Sequence, residues 1–329
     1  MSRAPILCTG AAGFVGARFV ESCNRRGVPV IAVDEPALFT ARPEHDGLDF
    51  GTRLDRRTAE DWLQRGRIAP RAIVHLGACT DTTELDEKLL ADVNVASSQA
   101  LWRAARAQAI PFVYASSAAT YGAGELGYAD DEAAFGALRP LNPYGESKRV
   151  FDLWALEQER LGQAPPSWSG FKFFNVYGFG ERHKGRMASV VLQAFDQIRK
   201  DGRVKLFRSH RSGIADGHQS RDFVFVDDVV DVLWFALEKP LARGVFNLVT
   251  GRARTFLDLV RAVFAALGVP ERIDWIDTPA DIRERYQYFT QADMRRLRAA
   301  GYSREFTTIE DGVRATVARL LAREKVVAR

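Results

Sequence analysis

Cysteine is scarce in the 329-residue chain, which has only Cys8, Cys23 and Cys79. Their spacing holds no C-x-x-C or metal-ligand pattern, so neither a bound metal nor a disulfide framework is expected. An odd count suits a reducing, cytoplasmic setting. No apolar run approaches the roughly 18 residues of a membrane span, and no membrane partner is expected. The first apolar run begins almost at Met1, so no signal peptide is expected either. Charge of one sign is also in short supply. Lys and Arg number 46 against 42 Asp and Glu, leaving +4 spread along the chain. Arginine clusters such as Arg295-Arg296 and Arg298 read as solvated helix faces, and no nucleic-acid partner is expected. Hydrophobic residues, by contrast, make up 47% of the chain, enough for one large or two ordinary domains.

The most informative stretch is Thr9-Gly-Ala-Ala-Gly-Phe-Val-Gly16, which follows the apolar run Pro5–Cys8 and opens a helix-like segment from Ala17 to Arg25. Strand, glycine turn and helix start together let backbone N–H groups approach a pyrophosphate. Gly10 suits the tight turn, Gly13 the close approach of phosphate, and Gly16 the packing of helix on strand. About twenty residues on, a second apolar run ends in Asp34, the position of a ribose-binding acid. These features predict a dinucleotide site.

The segment Glu35–Asp55 reads as irregular. Asp49-Phe50 within it is either an adenine clamp or part of an ordinary surface loop. Further strands are expected at Ala72–Leu76 and Phe112–Ala115, with a helix over Glu87–Ala107 between them. Gly77-Ala78-Cys79 is small enough for a ligand to pass close to the backbone. Strands alternating with helices predict a parallel sheet covered on both faces, with ligands at the carboxyl ends of its strands. Ser116–Gly122 lies at such an end. Asn142-Pro143 starts a helix carrying Tyr144 and Lys148 at i and i+4, on one face. The lysine is expected to lower the phenol's pKa, because a free phenol near pKa 10 is a poor base at neutral pH.

Further on, Phe171–Gly178 reads as one strand entering a loop, and Ser189–Lys200 as a helix. Lys205–Phe207 begins a short strand, and Ser209–Ser220 is a polar loop. Arg221–Asp228 leads into another helix, Gly244–Val249 is a strand, and Thr255–Leu267 is a helix. The predicted class is α/β: a Rossmann-type doubly wound parallel sheet with a smaller, mixed α/β C-terminal substrate domain. The expected domains are 1–170, to which about 221–250 returns, and 171–329.

The glycine loop, the serine-rich strand end and Tyr144-Gly-Glu-Ser-Lys148 together resemble the extended short-chain dehydrogenase/reductases, nucleotide-sugar epimerases and dehydratases among them. The resemblance makes Tyr144 the acid/base, Lys148 its partner and Ser117 the hydroxyl that polarises the reacting oxygen. Chemistry alone does not choose Ser117 over Ser116 or Thr120. It also implies a cofactor set of Gly10, Gly13, Phe14, Val15, Gly16, Asp34, Glu35, Asp49, Gly77, Ala78, Asn94, Tyr144 and Lys148.

Ala115–Gly122, His183-Lys-Gly-x-Met-Ala-Ser189, Arg221-Asp-Phe-Val, Arg285-Tyr-Gln-x-Phe-Thr-Gln-Ala-Asp293 and Leu297–Tyr302 are similar to the ADP-L-glycero-D-manno-heptose 6-epimerases, over nearly the whole chain. That likeness implies an ADP-heptose substrate, a role in lipopolysaccharide core precursor synthesis, and a homopentamer with one nicotinamide cofactor per subunit. It implies Lys184 as a second acid/base, with a phosphate-contacting or solvated lysine as the alternative. It assigns Asn175, Arg186, Phe207, Arg221 and Tyr286, with Ser117, to the substrate. Phe207 also fits a strand core, Tyr286 a packing role, and His183 a supporting one.

Two features depart from that pattern. Asp34 is followed by Glu35, and the nearest base is Arg42. Two carboxylates there favour NAD over NADP, whose 2′-phosphate would face them. The Ser209–Ser220 loop is also longer than in the simplest members. A 4,6-dehydratase is disfavoured because Ala118-Ala119 stands where dehydratases have Asp-Glu. A 4-epimerase of another nucleotide sugar is the enzymatic alternative, and a cofactor-sensing binding protein the non-enzymatic one.

Overall fold

Short runs of buried apolar residues lay down a seven-stranded, wholly parallel sheet. In this computed structural model, residues 4–66, 69–239, 243–279, 283 and 287–327 are described. The chain clusters into two compact units, and the sheet belongs to the first: 1–173, 229–248 and 294–303. Its strands in chain order are β1 (Ile6–Thr9), β2 (Val30–Asp34), β3 (Thr52–Asp55), β4 (Ala72–His75), β5 (Phe112–Ser117), β6 (Trp168–Phe173) and the strand Gly244–Leu248. The spatial order is Gly244–Leu248, β6, β5, β4, β1, β2, β3. From β1 the chain winds outward through β2 to β3, then returns to place β4 on the other side of β1. That reversal opens a crevice at the carboxyl ends of β1 and β4, where doubly wound sheets bind ligands.

The helices are α1 (Phe14–Arg25), α2 (Ala59–Gln64), α3 (Glu87–Leu90), α4 (Ser97–Ala107) and α5 (Pro143–Arg160). Arg18 and Arg25 are the basic residues of α1, whose apolar face buries Phe14, Phe19 and Val20. Between α3 and α4 the expected single helix widens into a π-helical turn, Ala91–Ala96. That turn brings Asn94 inward, leaving it 1% exposed. Helix α5 starts as its sequence dictates: the Asn142 side chain accepts a hydrogen bond from Gly145 N at 2.8 Å, with Pro143 in the first turn. Aromatic packing welds α4 and α5 to the sheet, with Trp102 5.0 Å from Trp168 and 5.6 Å from Phe112 between ring centroids.

Two expectations need correction here. The segment after Asp34 is not wholly irregular, because it ends in the edge strand β3. Only Leu54 of its four residues is buried, so it carries no apolar run to read. Phe50 belongs to the core, 1% exposed and packed on Phe39 and His45 at 5.0 and 5.2 Å. The reading of Phe171–Gly178 as one strand also fails. β6 stops at Phe173, and Asn175–Tyr177 pairs in a different sheet.

The second unit comprises 174–228, 249–293 and 304–329. Its three-stranded sheet sets Ser220–Phe225 between Asn175–Tyr177, parallel, and Ala253–Thr255, antiparallel. A parallel pair joins Val204–Phe207 to Ile273–Ile276. Helices Val190–Asp201 and Ile309–Val327 pack on Phe256–Leu267, which starts in a capping box between Thr255 and Asp258. Among the described residues, no helix is long and apolar enough to cross a membrane.

Candidate active site

The glycine turn is built as a cradle. Gly10 has φ +63°, and a Cβ there would lie 2.7 Å from Gly77 N. The turns after β1 and β4 therefore touch backbone to backbone. At Gly16 a Cβ would stand 2.0 Å from Gly10 O, so only glycine lets α1 sit this close to the strand. Gly13 caps α1 without a side-chain partner, and no acidic residue lies in the first turn of Phe14, Val15 and Gly16. The positive end of the helix is left for an anion. At the end of β2, Asp34 accepts hydrogen bonds from Ala12 N and Glu35 N, each at 2.9 Å. Burial raises its pKa, while those two bonds and the Arg42 guanidinium pull it back. Arg42 donates to Ala12 O, which puts a cation beside Asp34. A diphosphate cradle next to a ribose-binding carboxylate fits a dinucleotide.

Asp49 lies elsewhere. It exchanges hydrogen bonds with Asn24 at 2.8 and 2.9 Å, where α1 ends and β3 is about to begin. That is the amino-end edge of the strands, away from the glycine turn. Asn94 is near the crevice but spent on the protein. Its side chain bonds both N and O of Cys79, at 2.8 and 3.0 Å, and donates to Ser147 Oγ at 3.0 Å. Gly77 and Ala78 line the turn that Asn94 braces.

A second cluster forms where β5 meets α5. The Tyr144 phenol, 8% exposed, lies beside Ser117, whose hydroxyl oxygen accepts from Ala119 N at 3.1 Å. Lys148, 7% exposed, donates to Ala115 O at 3.0 Å. The structure thus brings Ser117, Tyr144 and Lys148 together, while the Ser116 and Thr120 hydroxyls donate to Asp152 and to Ser117 O. One electrostatic expectation is reversed. Burial raises the Tyr144 pKa, the neighbouring Ser117 opposes it, and Lys148 has no leading part. Lys148 itself is pulled down to about 8 by burial, against the pull of Asp152 and Cys79.

The two clusters are tied by a polar chain that sequence reasoning missed. Gly77 N donates to Thr9 Oγ1 at 3.0 Å, and Thr9 Oγ1 lies 2.7 Å from His75 Nδ1. His75 Nε2 is 2.8 Å from Ser98 Oγ, which donates to Asn94 O at 2.6 Å. With that serine proton used, His75 must donate from Nε2 and accept at Nδ1. Asn94 then reaches Ser147, whose hydroxyl donates to Tyr144 O at 2.7 Å. Burial, followed by the Lys148 charge, drops the His75 pKa to about 3, so the ring is neutral. Its only signal in the sequence is a histidine inside an apolar strand.

In the second unit, Lys184 and Arg186 lie on a short 3-10 turn, Arg182–Met187. Lys184 is half-buried; Arg186 and His183 are exposed. Glu181, which sequence reasoning also missed, is 1% exposed and closes this loop at both ends. It accepts from Ser189 N at 2.7 Å, from the Ser189 hydroxyl and from Gly178 N at 3.5 Å, and lies 3.9 Å from Lys184 Nζ. Burial raises its pKa; Lys184 and the Ser189 bonds oppose that. Asn175 Nδ2 donates to Asp222 O at 3.1 Å, and Arg221 donates to Ser220 O at 2.9 Å beside the Phe256 ring. These two therefore share the three-stranded sheet. Phe207 ends the neighbouring strand of the parallel pair, half-buried. Tyr286 lies outside the described residues. The Ser209–Ser220 loop is pinned by Asp216 to Ser209 N at 2.7 Å and by Tyr288 to His210 N at 3.0 Å.

A parallel sheet with a glycine cradle at its reversal point, beside a serine–tyrosine–lysine cluster, defines a nicotinamide-dependent protein of the reductase type. The chain belongs to the NAD dependent epimerase/dehydratase family, whose model matches residues 6–248. It is 42% identical to the ADP-L-glycero-D-manno-heptose-6-epimerase of Fusobacterium nucleatum, over 97% of this chain and 98% of that one. Among solved structures, it is similar to the ADP-L-glycero-D-manno-heptose-6-epimerase of Helicobacter pylori. There the TM-score is 0.80 at 25% identity, covering 98% of this chain and 97% of that one. The UDP-glucose 4-epimerase of Thermus thermophilus, in complex with NAD, matches with TM-score 0.75 and 27% identity over 96% and 99% of the two chains.

Proposed function

We propose that this protein inverts C6 of the heptose in ADP-D-glycero-β-D-manno-heptose, giving the L-glycero epimer, with NAD as the bound cofactor. One observation carries the reading: a buried tyrosine beside Ser117, at the end of a sheet that holds a glycine cradle, in a chain 42% identical to such an epimerase along nearly its whole length.

The carbon to be inverted carries a secondary alcohol and no neighbouring carbonyl to acidify its C–H, so direct deprotonation is not a route. A bound nicotinamide supplies hydride acceptance and hydride return, and hence no net redox change. The chain's own residues handle the oxygen. Tyr144 is the acid/base for the hydroxyl proton in one pose, and Ser117 holds the oxygen there by hydrogen bond. Lys148 holds the ribose and offsets negative charge on the phenolate. Inversion presents the oxygen in two poses, and Lys184 is the acid/base for the second. Asn175, Arg186, Phe207 and Arg221 are the proposed ADP contacts, Arg221 by a forked bond to the diphosphate. Gly10, Gly13, Phe14, Val15, Gly16, Asp34, Glu35, Gly77 and Ala78 line the cofactor. On the same likeness the first unit is the cofactor domain and the second the substrate domain. The protein works in the cytoplasm as a homopentamer supplying lipopolysaccharide core precursor.

The test is incubation of purified protein with ADP-D-glycero-D-manno-heptose, with UDP-glucose and UDP-galactose in parallel. Chromatographic appearance of the C6 epimer supports the proposal. Interconversion of the UDP-hexoses without it favours the 4-epimerase reading.

A further inference from the structure

Below Ser117 and Lys148 lies a pair of opposite charges that the reaction as described does not use. Asp152 and Lys172 are both 0% exposed, with Lys172 Nζ 2.6 Å from Asp152 Oδ2. Two charges taken out of water cost several kcal/mol each, and an apolar pair of equal volume is often as stable. Stability is therefore a poor reason for their presence.

Asp152 sits one helical turn beyond Lys148 on α5, on the same face. Its Oδ1 accepts from the Tyr114 hydroxyl at 3.0 Å, and its Oδ2 from Ser116 at 2.7 Å as well as from Lys172. With donors on both oxygens, the group is an ionised carboxylate. Tyr114 can reach it because Gly170 pairs opposite on β6; a Cβ there would stand 2.4 Å from the ring. Lys172 pairs in register with Ser116 and donates a second bond to Thr120 Oγ1 at 2.8 Å. Its charge also lies 4.2 Å from the Phe135 ring centroid and 5.3 Å from that of Tyr121. Thr120 in turn donates to Ser117 O at 2.9 Å. The carboxylate thus grips the residue before Ser117, and the ammonium grips the turn after it.

We propose that Asp152 and Lys172 are positioning residues for the reaction. Together they fix the turn that presents Ser117, and they set the electrostatic potential at Lys148 from below. This rests on the Ser117–Tyr144–Lys148 reading above. Asp152 favours the Lys148 ammonium, and Lys172 tempers that influence. The other groups facing Lys148 are Cys79 and the neutral His75 from the β4 side and Tyr144 from its own helix. Lys172 is faced by Asp130 and Glu132 as well as by Asp152.

The experiment is calorimetric titration of the purified full chain with NAD from pH 6.5 to 9.5, with thermal melting alongside. It compares the wild type, Asp152→Asn, Lys172→Met and the double variant. NAD affinity should fall as Lys148 loses its proton. Asp152→Asn should move that limb down by about one pH unit, and Lys172→Met should move it up by a similar amount. The double variant, which removes both members of the pair together, should fold and place its limb between the two. If Lys172→Met does not fold, the comparison of Asp152→Asn with the double variant decides, the former lying lower. Coincident limbs in folded variants would overturn the proposal, as would shifts in one direction only. A purely structural pair would change melting without moving the limb. Normal turnover of Tyr144→Phe would instead bring down the site reading itself.

Discussion

A phenol is almost wholly protonated at neutral pH, and burial makes the Tyr144 phenolate rarer still. Its usefulness depends on the neighbouring Ser117, the Lys148 charge and what the cofactor and substrate add. Tyr144→Phe should keep NAD binding nearly intact and lower turnover about 10²-fold or more, as for loss of a general acid/base. Steady-state rates set against an NAD titration check this, and a Phe variant with ordinary turnover removes Tyr144 from its role. His75 makes a different demand. Its pKa falls from an ordinary 6.5 to about 3 on folding. The unfolded chain therefore binds the extra proton between those values. Stability from this group is complete above pH 6.5 and is lost as pH falls toward 3, by on the order of 4 kcal/mol. Melting temperature against pH should slope upward through that window, and His75→Gln should flatten the slope. An unchanged slope in that variant shows that His75 is not the acid-sensitive group. Tyr144 and Lys148 were legible because a helix puts i and i+4 on one face. His75, Asp152 and Lys172 were not, since their partners lie between 20 and 66 positions away in the chain.

Elements whose cause is local were legible from local sequence. The glycine turn is one, because Gly16 is required by its close approach to Gly10 O within the same turn, although the approach of Gly10 to Gly77 is long-range. The start of α5 is another, written in Asn142-Pro143. The π-helical turn at Ala91–Ala96 carries no such mark, since its helical pattern continues on both sides. The break after Phe173 was hidden because apolar residues run on through it, while the chain changes sheets. The loop Arg182–Met187 was read from likeness, and its physical closure by Glu181 was visible only in the fold. Lys184 Nζ lies 3.9 Å from that buried carboxylate. Lys184→Met should cripple C6 inversion while leaving ADP affinity nearly unchanged. Calorimetry with ADP beside the epimerase assay separates the two. Weakened ADP binding with normal inversion would make Lys184 a phosphate contact.

At the scale of the whole molecule, the strand order of the parallel sheet reverses between β1 and β4 and so puts a crevice where the cradle lies. The two-unit division puts Gly10, Asp34, Tyr144 and Lys148 in one part of the chain and Lys184, Asn175 and Arg221 in the other. Neither a dehydrogenase nor a proton-abstracting racemase has the behaviour this account requires, which is oxidation and return of the same hydride at one carbon. The direct measurement is to run the reaction with ADP-D-glycero-D-manno-heptose in deuterium oxide and follow C6 by NMR and mass spectrometry. The account predicts that the C6 epimer accumulates with its original hydrogen at C6 and no deuterium there. Deuterium at C6 of the product would contradict it, as would the absence of any C6 epimer.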